Sequence, residues 1–407
     1  MVYGTPQNHT SSMARLWQAI FWVSFPFGFL TFVLPIYGRD LGASAMEIGG
    51  LFSVFAVVPV LVRPLLGRAL DRWGRRPFLL LGLSGYLVSM VVFSLSDRIW
   101  LLGLARLIQG LGQAFLWLTA LTIIADLAPV TGRGVNFGSI DESTNRGAIL
   151  GTAIGLGGLL MVEGSRGDAG FLAYWPLVFA GFSLTALLAL AIAWRGIPET
   201  RPPAAATPVQ GRPISRQLLA LMGIVFATGA STAMVWPLLM VYLEDHLAAG
   251  IAGLTLAYLP ASVIGAVLPS RTGHLADRFG RRSLMVVGLL VGAAASVLIP
   301  HLRSLAVLAI LWAVESIGYS ASVPAERALV ADIAGEDTRG TSYGLYTFAY
   351  FFGSMLGPLV GGWMYDAVSP ATPFYLNAAV LLVGAALVRV VFRGQQPVRP
   401  SSVAGEP

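Results

Sequence analysis

The 407-residue chain contains no cysteine and no lysine. Without cysteine there are no disulfides, thiolate nucleophiles or zinc–thiolate centres. Without lysine all 26 basic residues are arginine, so every basic charge persists at any working pH. Charge is scarce altogether, at 11% of residues against about 25% in soluble domains. The four histidines, His9, His246, His274 and His301, lack metal-ligand spacing, and no phosphate-cradling loop is present. These absences point away from an enzyme, a bound cofactor, a metal site and a nucleotide-driven machine.

What fills the chain instead is apolar. Hydrophobic residues make up 56%, and the mean hydropathy is +0.74. They fall into runs close to the roughly 20 residues that cross a hydrocarbon core of about 30 Å. The runs predict an all-α membrane protein of twelve transmembrane helices: 14–37, 47–66, 77–96, 100–124, 134–162 and 175–194 in a first bundle, and 216–243, 250–270, 283–301, 304–326, 341–365 and 372–392 in a second. Residues 195–215, with Pro198-Glu199-Thr200-Arg201-Pro202-Pro203, are too polar and proline-rich to span and read as a linker. Residues 1–13 and 393–407 read as polar ends, the first without a small-residue cleavage pattern.

Arginines set the expected orientation. With both ends placed inside, only Arg39, Arg98, Arg166 and Arg303 fall on the outer side and Arg106 and Arg146 within spans, which leaves 20 of the 26 at cytoplasmic ends. Both termini are therefore expected in the cytoplasm, and the net charge of +6 marks topology rather than a nucleic-acid partner.

The chain also repeats itself. A shift of 206 residues brings Gly67, Asp71, Arg72, Gly74, Arg75 and Arg76 onto Gly273, Asp277, Arg278, Gly280, Arg281 and Arg282. The same register aligns Asp126 with Asp332, Gly147 with Gly353, Gly151 with Gly357 and Gly155 with Gly361. The offset covers six helices, so the two halves run parallel around an axis along the membrane normal.

Both copies of Gly-x-x-x-Asp-Arg-x-Gly-Arg-Arg lie between the second and third helices of their halves, where glycine permits a tight turn and a carboxylate can face a helix N-terminus. This motif resembles the loop motif of the major facilitator superfamily, and the resemblance covers about residues 14–392. It implies a gate in which Asp71 caps helix eleven near Thr341 and Arg75 pairs with Asp126. By the repeat, Asp277 caps helix five near Arg133 and Arg281 pairs with Asp332.

Four further stretches carry candidate chemistry. In helix four, Arg106-Leu107-Ile108-Gln109-Gly110-Leu111-Gly112 resembles the family pattern associated with proton-coupled members. Arg106, Gln109, Gln113 and Trp117 share one helical face and are expected to line a central cavity. Helix five carries Asp141-Glu142-Ser143-Thr144-Asn145-Arg146, which places Asp141 about 10 Å and Arg146 about 18 Å along the span. Glu142 and Arg146 can pair at i,i+4, whereas Asp141 faces Asn145 and has no basic neighbour in sequence. Gly147, Gly151 and Gly155 follow as a close-packing ladder. Its repeat in helix eleven, with Gly353, Gly357, Pro358 and Gly361, resembles the family's antiporter motif, which belongs in helix five; there Thr152 stands where that motif has proline. In helix ten, Glu315 occupies the repeat position of Gln109, between Trp312 and Tyr319. Trp236 and Tyr346 are further candidate lining residues.

Together with Leu34-Pro35-Ile36-Tyr37, the helix-four arginine and the helix count, the resemblance is to the drug:proton antiporter branch. It implies a proton-gradient-driven exporter of small amphipathic or hydrophobic compounds, working as a monomer in the plasma (inner) membrane. The alternatives are a transporter of a polar metabolite, such as a sugar or organic anion, and a non-transporting sensor on the same fold.

Overall fold

A computed structural model describes residues 6–127, 133–166, 169–200, 215–247, 251–268, 279–334 and 339–393. Among them are thirteen α-helices and one 3-10 turn. The first half contains α1 (Pro6–Val23), α2 (Pro26–Asp40), α3 (Ala45–Trp73), α4 (Arg76–Ser94), α5 (Ile99–Leu127), α6 (Arg133–Arg166) and α7 (Ala169–Gly196). The second contains α8 (Arg216–Leu247), α9 (Ile251–Val267), α10 (Arg281–Leu298), α11 (Leu305–Ala334), α12 (Arg339–Ala367) and α13 (Thr372–Val391). Helices α1 and α2 form one span, so these are the twelve spans of an all-α membrane fold. Nine stretches among the described residues are long and apolar enough to cross a bilayer unaided.

Three boundaries differ instructively from the sequence reading. The first span is broken at Ser24–Phe25, because Pro26 has no N–H to donate into the preceding turn and starts α2 instead. The Ser24 hydroxyl donates to the Ile20 carbonyl at the break, at 2.7 Å. Helix α3 continues through most of the motif to Trp73, so Gly67 is helical and only Gly74, at φ +93°, makes the turn. Helix α11 runs on to Ala334, about two turns beyond its expected end.

The chain divides into two compact units. Unit 1 comprises Met1–Pro208 with Trp236–Tyr242 of α8 and Ser354–Ala367 of α12; unit 2 comprises Val209–Val235, Leu243–Gly353 and Val368–Pro407. In unit 1, α4 packs on α5 and α7, α5 on α3, and α6 on α1 and α2. Leu16, Ile20, Leu83, Ile123 and Ile140 fill the interior at one end. At the other, Trp175 donates from its indole to the Phe93 carbonyl at 2.7 Å and stacks on Tyr37 at 3.8 Å, closing α2, α4 and α7 together. In unit 2, α10 packs on α11 and α13, and α9 on α11, around Leu221, Met285, Leu329 and Val388.

The outward faces are apolar as well. Leu61, Leu184, Trp194, Leu256 and Ile310 are all more than 60% exposed, a surface that water does not tolerate over such an area but lipid does. The protein is a multi-pass membrane protein.

Candidate functional site

The motif loop of the first half is a hydrogen-bonded hub. Arg75 is buried, and its Nε donates to Asp126 Oδ2 at 3.0 Å while an Nη donates to the Leu70 carbonyl at 2.9 Å. These bonds tie the end of α5 and the last turn of α3 to the start of α4. A third tie comes from beyond α7. Glu199 accepts the backbone N–H of Arg75 at 2.7 Å and that of Arg76 at 3.1 Å, placing a carboxylate on the positive end of the α4 dipole. Thr200 adds a hydroxyl contact to Asp126 at 3.3 Å, and Arg76 donates to the Trp194 carbonyl at 2.7 Å. Arg72 lies over the Trp73 ring.

Gly74 is held here twice over: its φ is left-handed, and a Cβ on it would run into the Glu199 carboxylate. In the repeat, Gly280 has the matching φ of +84°, and Arg282 donates to the Arg389 carbonyl near the end of α13, much as Arg76 reaches the end of α7. Gly273, Asp277 and Arg278, and the side chains at Gly67, Asp71, Asp332 and Thr341, lie outside the described residues.

On α5, Arg106 and Gln109 are buried side by side, Arg106 donating to Gln109 Oε1 at 2.8 Å. Arg106 also donates from Nε to the Leu51 carbonyl of α3 at 3.3 Å. One turn on, Gln113 accepts from Arg63 of α3 at 3.4 Å, and Trp117 packs near Phe27. The polar face of α5 is thus turned onto α3.

On α6, Glu142 and Arg146 form an i,i+4 ion pair with side chains 57% and 71% exposed. Asn145 is exposed beside them; the Asp141 side chain lies outside the described residues. The glycine ladder explains how α6 sits. Gly147 and Gly151 meet the carbonyls of Phe21 and Phe25, and Gly155 meets the Phe29 ring, so α6 lies directly on the broken α1–α2 span. In the second copy, Gly353 meets the Phe226 carbonyl of α8, while Gly357, Pro358 and Gly361 are buried. Further along α12, the Pro358 carbonyl lies against Gly49 of α3, and Gly362 lies against Ala45 and Met46. Asp366 completes this crossing by accepting the N–H of Ala45 at 3.3 Å and of Met46 at 2.9 Å. With the Ser44–Glu47 capping box, it satisfies the exposed donors of the first turn of α3.

In unit 2, Glu315 is half-buried on α11, where no hydrogen bond or ion pair to it is recorded among the described residues. Its neighbour Trp312 is 2% exposed and meets Tyr258 edge-on at 5.4 Å. Tyr319 is exposed, Tyr346 belongs to the packed interior of unit 2, and Trp236 is half-buried in the α8 segment that groups with unit 1. Among the described residues, no three potential ligands cluster as a metal site.

Two carboxylates that accept backbone N–H groups at helix starts escaped the sequence reading. Glu199 stood in a segment read as linker, although it is an acid set among Arg195 and Arg201 immediately after a span. Asp366 stood at a helix end with no motif around it.

The family model described as "Major Facilitator Superfamily" matches residues 16–268 and 221–407. The chain is 24% identical over 363 residues to "Multidrug resistance protein 1" of Bacillus subtilis (strain 168), covering 87% of this chain and 90% of that protein. It is 25% identical over 390 residues to "Quinolone resistance protein NorA" of Staphylococcus aureus (strain MSSA476), covering 92% and 95%. Among solved structures, a bacterial homolog to the human lysosomal transporter Spinster, inward-facing and unoccupied, superposes with a TM-score of 0.76 at 16% identity, covering 96% of this chain and 98% of that one. The human organic anion transporter MFSD10 (TETRAN) superposes at 0.67 with 19% identity, covering 93% and 99%. The matched spans take in nearly every helix and both copies of the loop motif, and the chain belongs to the major facilitator superfamily.

Proposed function

We propose that the protein is a multidrug-type secondary transporter of the plasma membrane that exports small amphipathic or hydrophobic compounds in exchange for protons. The observation that carries the export reading is the near full-length similarity to two proteins named for drug resistance. Carboxylates within spans support the coupling: Asp141 and Glu142 on α6 and Glu315 on α11. Carboxylates in apolar surroundings bind protons readily, so substrate and proton can compete for one group. Asp141 is the first candidate carrier, since Arg146 is occupied by Glu142. Arg106, Gln109, Gln113, Asn145 and the aromatics Trp117, Trp236, Trp312, Tyr319 and Tyr346 are assigned to the substrate path. The two motif loops, with Asp71 and Asp277 at their centres, act as gates at the cytoplasmic face. The arginine distribution supports cytoplasmic termini.

A second reading, export of an organic anion, is favoured by the absence of a recorded carboxylate partner for Arg106 among the described residues. Purified protein in liposomes with an imposed pH gradient, challenged with amphipathic cations, quinolones and organic anions in parallel, tests both. Gradient-dependent movement of the first two classes is expected. Movement of anions alone favours the second reading, and movement of none removes the transporter assignment.

A further inference from the structure

Arg106 is 5% exposed inside a membrane-spanning unit, where a charge is costly. Buried charges normally find an opposite charge. Among the described residues the hydrogen-bond and ring partners of Arg106 are all formally neutral: the Leu51 carbonyl, the Gln109 amide and two aromatic rings. The guanidinium carbon lies 4.6 Å from the centroid of Phe52 and 4.6 Å from that of Phe55, both on α3. That is inside the range in which a ring face attracts a cation, and the attraction strengthens as water is excluded.

The backbone is arranged to bring this about. Gly110 lies one turn from Arg106 on the same face of α5, and a Cβ there would sit 2.6 Å from the Phe55 carbonyl. Gly112 faces the other way, where a Cβ would be 2.8 Å from the Gly82 carbonyl of α4. The two glycines thus seat α5 tightly between α3 and α4, and Gly110 carries the Phe55 ring to the arginine. A carboxylate in the same place would cancel the charge. Ring quadrupoles stabilise a cation and leave its net charge of one in place, so a positive field persists within unit 1 for an arriving anionic group to meet.

We propose that Phe52 and Phe55 are positioning residues that hold Arg106 charged without neutralising it. The inference rests on the substrate-path role proposed for Arg106 above. Phe52→Leu and Phe55→Leu keep apolar bulk and remove the ring face, while Phe→Trp keeps the face. Stepwise fluorination of the two phenylalanines in the full chain drains the quadrupole at nearly constant shape. Gradient-driven flux in liposomes is expected to fall with each added fluorine, by about tenfold per ring at full substitution. Fluorination is also expected to lower the thermal unfolding midpoint of the native protein in detergent, and to leave that of Arg106→Gln unchanged. Flux indifferent to fluorination, in a protein that Arg106→Gln inactivates, would overturn the proposal. Flux retained in Arg106→Gln removes the substrate-path role itself, a separate failure. The unfolding cycle then still decides whether the rings hold the cation, and equal midpoint shifts in both backgrounds would show that they do not.

Discussion

Glu199 accepts the backbone N–H of Arg75 at 2.7 Å, so a residue beyond the sixth span closes the turn between the second and third. Arg75 is in turn bonded to Asp126 at the end of α5, which makes the four elements one mechanical piece. Removing the carboxylate with Glu199→Ala is expected to cost about 1 kcal/mol, as for the loss of a helix cap, with Glu199→Gln losing less. Hydrogen exchange over residues 75–79 should speed up in Glu199→Ala. Gly74→Ala should cost more, because it adds left-handed strain to a collision with the same carboxylate.

The ladder on α6 makes a sharper comparison. Gly151 touches the Phe25 backbone, whereas a Cβ on Gly157 meets nothing within 4 Å. Gly151→Ala is therefore expected to destabilise the protein by about 1–3 kcal/mol. Gly157→Ala should be neutral or slightly stabilising. Unfolding midpoints of the two variants in detergent check this directly, and equal effects would contradict the packing.

Asp366 holds the first turn of α3 through Ala45 and Met46. Because the chain has no cysteine, a single Ala45→Cys reports that turn without background. Ala45 is 7% exposed. Adding Asp366→Ala is expected to raise maleimide labelling of Cys at this position by about fivefold, the effect of losing roughly 1 kcal/mol of hydrogen bonding. An unchanged rate would mean that the glycine crossing at Gly362 and Gly49 holds the turn alone.

Features that contrast with their surroundings were readable from sequence. Arginine and aspartate stand out among apolar runs, so the repeated loop motif and the twelve spans are visible without coordinates. Pro26 was not visible as a break, because proline is common within membrane helices and Pro35, Pro176 and Pro237 interrupt nothing. Glu199 was hidden for the opposite reason: polar residues next to a linker look like linker. Phe52 and Phe55 carry no signal at all, since a ring serving a cation and a ring serving lipid are the same letter. Their role depends on α3 lying against α5, a tertiary fact.

For Asp141 the expected outcome is a split between folding and coupling. Asp141→Asn should insert and unfold as the native protein does, still bind substrate, and lose gradient-driven flux. The Glu142–Arg146 pair remains intact beside it. Undiminished flux would move the carrier to Glu142 or Glu315, and loss of the protein from the membrane would make the group structural.

Exchange itself is tested most directly by running it backwards. Liposomes containing the protein, loaded with an amphipathic cation and diluted into substrate-free, weakly buffered medium with the membrane potential clamped, report proton movement through a pH-sensitive dye inside. Export of the cation down its gradient is expected to draw protons inward, acidifying the lumen, with no such signal in Asp141→Asn. Substrate leaving with no change in lumenal pH, or with protons travelling in the same direction, would contradict antiport.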